Sequence, residues 1–312
     1  MEFRFLTKEE YIDYIDEIKG LFEVCFNREI SSEFLKWRYV DNPLEDILVC
    51  VAIENNKIIA NYSVSPIKAL IDGNYEKLAL SMTTMTHPDF AGKGLFTKLA
   101  NSVYEKMEEL NYKAVMGFPN KNSHVAFVKK LGWRDIYEIP TLRLELSDAV
   151  IKGEYNLNVA RDDEFKLDYS ELLVNEKINL YSSKESLIWR FKMNPINKYK
   201  NYVIEKGGKV IASVITKEFN NDEVDIVLMN YSNVELIKDL LNYVVHTSKK
   251  NSFNYINVWS SINSSEHETL ERIGFINSSP VTYFGAKVFS ESSLDAYNYC
   301  NWKIDMGVSD VY

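Results

Sequence analysis

Residues 81–99 read SMTTMTHPDFAGKGLFTKL, and the fold follows from how this stretch divides. Ser81–Met85 continues a strand that starts near Leu78. Gly92-Lys93-Gly94 is a short loop. From there, apolar residues fall at Leu95, Phe96, Leu99, Ala100, Val103, Tyr104, Met107 and Leu110, the spacing of a helix with one buried stripe. A glycine loop that opens a helix turns free backbone N–H groups and the positive helix end toward one point, a site for phosphate or another anion. The same glycines equally suit a tight strand-to-helix connection that needs positive φ. Lys-Ser/Thr does not follow the second glycine, and x-x-Gly does not follow Gly-x-Gly. Neither a P-loop nor the dinucleotide fingerprint is present.

Upstream, Phe3–Leu6 reads as a strand, and Thr7 with Glu10 as a capping box before a helical stripe from Tyr11 to Phe22. A second helix follows Ser31 or Ser32, through Phe34, Leu35 and Trp37. Leu48–Glu54 and Ile58–Leu70 are strands joined by a turn at Asn55-Asn56-Lys57, and Asp72-Gly73 is another turn. Downstream come a strand at Ala114–Phe118, the turn Pro119-Asn120-Lys121-Asn122-Ser123, and a helix that ends at Leu131-Gly132-Trp133. A strand pair around Trp133–Leu146 is expected to close the unit.

The order then recurs. Glu185 to Pro195, with Trp189-Arg190, matches Glu33 to Pro43, with Trp37-Arg38, at an offset of 152 residues, and Lys209–Ala212 matches Lys57–Ala60 at the same offset. Further on the offset falls to 141 or 142, where Leu236–Val245, Asn263-Ser264 and Ile273-Gly274-Phe275 match Leu95–Tyr104, Asn122-Ser123 and Leu131-Gly132-Trp133. Five blocks in one order indicate a duplication. The residues lost fall on the counterpart of the glycine loop: where the first copy has His87–Gly94, the second has about Tyr231-Ser232-Asn233. The tryptophans and the Asn-Pro pairs read as core anchors and turns in both copies.

The 312 residues carry a net charge of −9, which argues against general nucleic-acid binding. Apolar runs such as Ile47–Ile53 are too short to cross a bilayer, and Met1-Glu2-Phe3-Arg4 lacks a signal-peptide pattern. Cys25, Cys50 and Cys300 are scattered, with no metal spacing and none beside the glycine loop in the sequence. These features predict a cytoplasmic protein without a metal.

Strand, glycine loop, long helix, strand and a short helix ending in Leu-Gly-Trp resemble the Gcn5-related N-acetyltransferase (GNAT) family. That family's loop is typically Gln/Arg-x-x-Gly-x-Gly/Ala. Here it reads Ala91-Gly92-Lys93-Gly94-Leu95-Phe96, with the central Gly94 kept and both ends changed. His87-Pro88-Asp89-Phe90 is similar to the family's His-Pro-x-Tyr/Phe lead-in. The resemblance covers Leu48–Leu146 well and Leu144–Tyr312 more faintly. It implies an α/β fold of two acetyltransferase-like units, each a mixed, mostly antiparallel sheet flanked by helices. Residues 1–146 would be the catalytic unit, and 147–312 a degenerate unit shaping the acceptor site.

The resemblance also implies a mechanism. Acetyl-CoA would be the co-substrate, with its pantetheine arm along Met85 and its pyrophosphate on the amides of Gly92, Lys93, Gly94, Leu95, Phe96 and Thr97. A backbone N–H near Thr84–Thr86 would polarise the thioester carbonyl. Ala91, Asn120 and Ser123 would line the coenzyme's path, although Asn120 also fits a turn after Pro119 and Asn122 a helix cap. The tyrosine that in many members protonates the leaving thiolate is replaced by Val128. Acid and base must then come from elsewhere: His124, or a C-terminal tail that reaches back with Asp310, Tyr312 or the α-carboxylate. The ending Trp302-x-x-x-Met306-Gly-x-Ser309-Asp310-Val311-Tyr312 also looks like tails of some bacterial members. The expected reaction is transfer of an acetyl or short acyl group to an amine of a small molecule, such as an amino sugar or its nucleotide conjugate. The rivals are an aminoacyl transferase of the cell-wall peptide-bridge type and a non-catalytic coenzyme-A-binding module.

Overall fold

The computed structural model describes residues 1–44, 46–149, 158–170, 172, 177–181, 183–289 and 295–310. Strand β1 (Glu2–Phe5) leads into helices α1 (Lys8–Asp13), α2 (Ile15–Phe26) and α3 (Ser32–Tyr39). The Thr7–Glu10 capping box forms in both directions, and Ser31 caps α3 through the Phe34 amide. Next come β2 (Leu48–Glu54), β3 (Lys57–Ile71), β4 (Asn74–Thr86), α4 (Leu95–Glu109), β5 (Ala114–Gly117), α5 (His124–Leu131) and β6 (Arg134–Glu145). Asn55 and Asn56 both take positive φ, 51° and 58°, as a tight two-residue hairpin turn requires.

The order strand, strand, strand, helix, strand, helix, strand is then repeated. After the short β7 (Val159–Arg161), β8 (Ile178–Leu180) and α6 (Lys184–Leu187), it runs β9 (Tyr199–Lys206), β10 (Lys209–Phe219), β11 (Glu223–Tyr231), α7 (Val234–Lys250), β12 (Tyr255–Trp259), α8 (His267–Ile273) and β13 (Ile276–Val288). The tail adds β14 (Trp302–Lys303) and a 3₁₀ turn at Met306–Val308. Where α4 opens on glycine, α7 opens on Asn233, whose side chain accepts the Glu235 amide.

All strands join one sheet, in the order β1-β2-β3-β4-β5-β13-β6-β12-β11-β10-β9-β7, with β14 paired to β8 and β8 to β3. Instead of the expected strand pair around Trp133–Leu146 there is one long strand, β6. It leaves its own half to lie between β13 and β12, while β13 lies between β5 and β6. Each half thus lends its last strand to the other. Pro140, which has no N–H to give, falls in the register break between β6 and β13, where its missing bond costs little.

Three apolar clusters fill the molecule. The α4 stripe packs on β2, β3 and β5, and the α7 stripe packs on β9–β12 and β6. The third cluster is shared by both halves. At its centre Trp37 and Trp189 stack with ring centroids 5.0 Å apart. Each indole N–H donates to the other's carbonyl, at 2.9 and 3.2 Å, so equivalent residues of the repeat meet each other. Asn42 donates to the Pro66 carbonyl and accepts the Leu44 amide, and Asn194 accepts the Ile196 and Asn197 amides. The Asn-Pro pairs are therefore turns.

A buried polar group anchors the tail. Glu266 accepts from the Tyr231 hydroxyl at 2.6 Å and from the Lys303 ammonium at 3.3 Å. Burial pushes its carboxyl up, but the Lys303 charge and these hydrogen bonds outweigh it and leave the pKa below the ordinary 4.5. A depressed carboxyl stabilises the fold above its unfolded pKa and loses that contribution as pH falls through the folded one. Thermal midpoints should therefore drop below about pH 4.5. The Glu266→Gln variant should show a shallower drop, and an unchanged slope would show that the pair carries none of it.

Candidate functional site

The site starts from a split in the sheet. Strands β4 and β5 pair in parallel only from Leu78↔Ala114 to Leu80↔Met116. Beyond this β5 ends, while β4 runs on to Thr86. Gly117 marks the fork: an added Cβ would lie 3.3 Å from both the Ser81 carbonyl and the Trp133 ring. Trp133, after the αL cap Gly132, donates its N–H to the Tyr104 hydroxyl, which ties the Leu-Gly-Trp ending to α4.

Past the fork, β4 bulges. Its register against β3 slips between Asn61↔Met85 and Ser63↔Met82, and Thr83 takes φ 55°, an uncommon value for a non-glycine residue. Asn61 Nδ2 donates to the Thr83 carbonyl at 2.7 Å and Tyr39 OH to Thr83 Oγ1 at 2.7 Å, so the bulge is held from two sides. Burial pushes the Tyr39 hydroxyl up to about 12, so it is a donor at neutral pH. Thr84 and Thr86 are half-buried and Met85 is buried, and Met85 and Thr86 pair with β3 on one side only. The Cys25 thiol, 61 residues away in sequence, donates to the Thr86 carbonyl at 3.4 Å. A cysteine therefore does stand at the end of the motif strand, which linear spacing could not reveal. Burial raises its pKa and keeps it a thiol.

The loop after β4 is ordered by His87, whose Nδ1 accepts the Asp89 amide at the start of the Pro88–Phe90 turn. Ala91 gives its own amide to the Pro88 carbonyl. Gly92 and Gly94 take φ 77° and 74°, and no atom lies within 4 Å of a Cβ built on either. Gly94 is the N-cap of α4 with no side-chain cap, so the first-turn amides of Leu95, Phe96 and Thr97 have no intrahelical acceptor. Gly92-Lys93-Gly94 is exposed, with the Lys93 ammonium 4.3 Å from the Phe90 ring centroid. Phe96, where the family has Gly or Ala, turns inward against Tyr62 and Phe127.

Beyond β5, Asn120 Oδ1 accepts the Asn122 and Ser123 amides, and Ser123 Oγ donates back to the Asn120 carbonyl. This is the turn alternative for Asn120, and Ser123 stands at the start of α5. His124 Nε2 lies 2.7 Å from Asp135 Oδ1 of β6, and its ring stacks on Tyr283 of β13 with centroids 4.2 Å apart. It lies one helical turn before Val128 on the same face of α5.

The tail approaches from the other half. Gly307 lies against β11 at that strand's own bulge: an added Cβ would be 2.8 Å from the Val227 carbonyl and 2.9 Å from the Phe191 ring. The Met306–Val308 turn therefore packs over the second half's counterpart of the β4 bulge. The charge of Asp310 is felt by Arg38, Tyr39 and Arg190. Tyr312 lies outside the described residues. His124 and Asp310 thus have different neighbours: the first has Asp135 and Tyr283, the second the α3 arginine and tyrosine. Among the described residues no group of three or more His, Cys, Asp or Glu could hold a metal ion, and no helix is long and apolar enough to cross a membrane.

Residues 2–136 match the family model for the acetyltransferase (GNAT) domain. Over those residues the chain is similar to that domain. No curated protein sequence matches it. Solved structures resemble it over nearly its whole length. A probable N-acyltransferase of unknown function from Enterococcus faecalis has a TM-score of 0.69 at 12% identity, over 92% of this chain and 72% of that one. A GCN5-related N-acetyltransferase from Anabaena variabilis has a TM-score of 0.68 at 14% identity, over 92% and 73%. N-myristoyltransferase from Saccharomyces cerevisiae, with bound myristoyl-CoA, has a TM-score of 0.61 at 11% identity, over 91% and 82%. At such identities the likeness is one of fold.

Proposed function

We propose that this protein transfers an acetyl group from acetyl-CoA to an amine of a small molecule, an amino sugar or its nucleotide conjugate among the possible acceptors. The observation that carries this reading is the pairing of a bulged, half-unpaired β4 with a bare helix N-terminus at the end of the same strand. Residues 1–146 would hold the coenzyme and residues 147–312 would close the acceptor side. The pyrophosphate would rest on the amides from Gly92 to Thr97. The pantetheine arm would run along the free edge of β4 at Met85, and an amide at Thr84–Thr86 would take the thioester oxygen. The neutral amine attacks the thioester carbon, a C–N bond forms and the C–S bond breaks. One proton leaves the amine and one reaches the departing thiolate.

Asp310 is the proposed proton acceptor, because its charge is felt at Tyr39, whose hydroxyl holds the bulge. His124, held by Asp135 one turn from the position of the family's usual acid, is the proposed donor to the thiolate. Asp310→Asn should lower turnover about tenfold or more while leaving coenzyme affinity unchanged. Equal turnover would remove Asp310 from the mechanism. The reading as a whole is tested by titrating acetyl-CoA and then following thiol release against an amine panel. No binding would refute it. Binding without release to any amine would favour a coenzyme-A sensor instead.

A further inference from the structure

Arg38 and Arg190 are equivalent residues of the repeat, and both are fully buried beside the stacked tryptophans. Their guanidiniums differ in one respect. Arg190 Nε donates to the Gly307 carbonyl at 2.8 Å, Nη2 to the Ser309 carbonyl at 3.1 Å, and Nη1 to the Tyr199 hydroxyl at 2.9 Å. Those carbonyls belong to the segment packed over the β11 bulge. Arg38 stands next to Tyr39, which touches the β4 bulge, but its Nε and Nη1 are buried without an acceptor among the described residues. The buried hydroxyl of Tyr181, whose electrostatic influence reaches Arg38, also lacks a partner. Burial lowers the Arg38 pKa. Arg190 is pulled down by the same burial, yet Tyr199, Tyr181 and Asp310 carry it above its ordinary value. A buried guanidinium with unmet donors is costly, so a fold that keeps one normally supplies an acceptor from outside.

We infer that Arg38, with Tyr181, binds a carboxylate on the acceptor, close to the amine that takes the acyl group. The inference rests on the acyl-transfer reading and narrows the acceptor to an amine that bears a free acid, such as an α-amino acid. In the second half, peptide oxygens of the tail fill the place facing Arg190. In the first half Arg38 adjoins Tyr39, which touches the bulge where the thioester would lie, and has the donors to receive the matching oxygens. The planar guanidinium fork suits a carboxylate better than a hydroxyl or a second amine. The carboxylate also bonds donors that Asp310, whose charge is felt at Arg38, leaves unmet. A neutral amino sugar would leave Arg38 unpaired.

The test compares α-amino acids with their carboxamides and with glucosamine as acetyl acceptors, using thiol release from acetyl-CoA. The acids should exceed their amides in kcat/KM on the order of tenfold to a hundredfold, mostly through KM. Arg38→Gln should erase that preference while coenzyme affinity stays unchanged. Tyr181→Phe should reduce it several-fold. Equal use of acid and amide by the unaltered protein overturns the inference, as does a folded Arg38→Gln variant that keeps the preference. If Arg38→Gln fails to fold, the acid–amide comparison and Tyr181→Phe decide. Calorimetric titration of the same amino acids into the coenzyme-saturated protein separates the two readings. Binding that needs Arg38 without any acetyl transfer would sink the acyl-transfer reading and keep the carboxylate site. Neither binding nor transfer with any amino acid would sink the site.

Discussion

Replacing Gly94 by glutamate is expected to lower acetyl-CoA affinity by about a hundredfold or more in a protein that still folds. Space is not the obstacle to folding, since nothing lies within 4 Å of a Cβ at this position. The φ of 74° costs a non-glycine residue about 1 kcal/mol, which a core of this size tolerates. A carboxylate there sits well with the helix end, because it complements the dipole and accepts the first-turn amides. By the same geometry it takes the amides assigned to the pyrophosphate and repels the phosphates. Calorimetric titration beside a thermal melt reads both sides. A variant that bound acetyl-CoA as tightly as the parent would show that the anion lies elsewhere.

Gly307→Val should unfold the tail from its seat and destabilise the protein by about 3–5 kcal/mol. The obstruction is main chain, the Val227 carbonyl at 2.8 Å, and on the other side the Phe191 ring. Neither can retreat: Val227 is in the bulge of a paired strand, and Phe191 is fully packed. Expelling the segment also strips Arg190 of its two carbonyl acceptors. In the population that stays folded, coenzyme binding should persist while turnover falls, because Asp310, the proposed proton acceptor, leaves its place with the tail. Denaturant unfolding measures the first effect. A midpoint equal to the parent's would contradict the tight seating of this turn.

Much of the architecture was legible because local chemistry decided it. The α4 stripe, the Asn55-Asn56 turn and the Thr7 box each specify their own geometry. The exchange of β6 and β13 was not legible, because both strands carry similar apolar patterns and only the assembled sheet settles which neighbour each takes. The site divides in the same way. The glycine loop announces itself, but the bulge at Thr83 has no glycine to mark it and exists because Asn61 and Tyr39 hold it. The Asp135 and Tyr283 partners of His124 come from two strands far apart in sequence. Arg38 did leave a trace: Trp-Arg followed by an aromatic residue recurs intact in both halves, and all six residues are buried.

The exchanged strands have a consequence for how the molecule comes into being. The edge of β5, which borders the coenzyme fork, is covered by residues Gly285–Val288, made some 170 residues later in synthesis. Until then the half that carries the glycine loop has an open sheet edge and cannot be finished. The second half equally waits on β6, which has long since emerged. Neither half is a self-sufficient body that could be inherited, cut out or transplanted alone, although each carries the full set of elements of its kind. The repeated order of elements is therefore no partition of the protein.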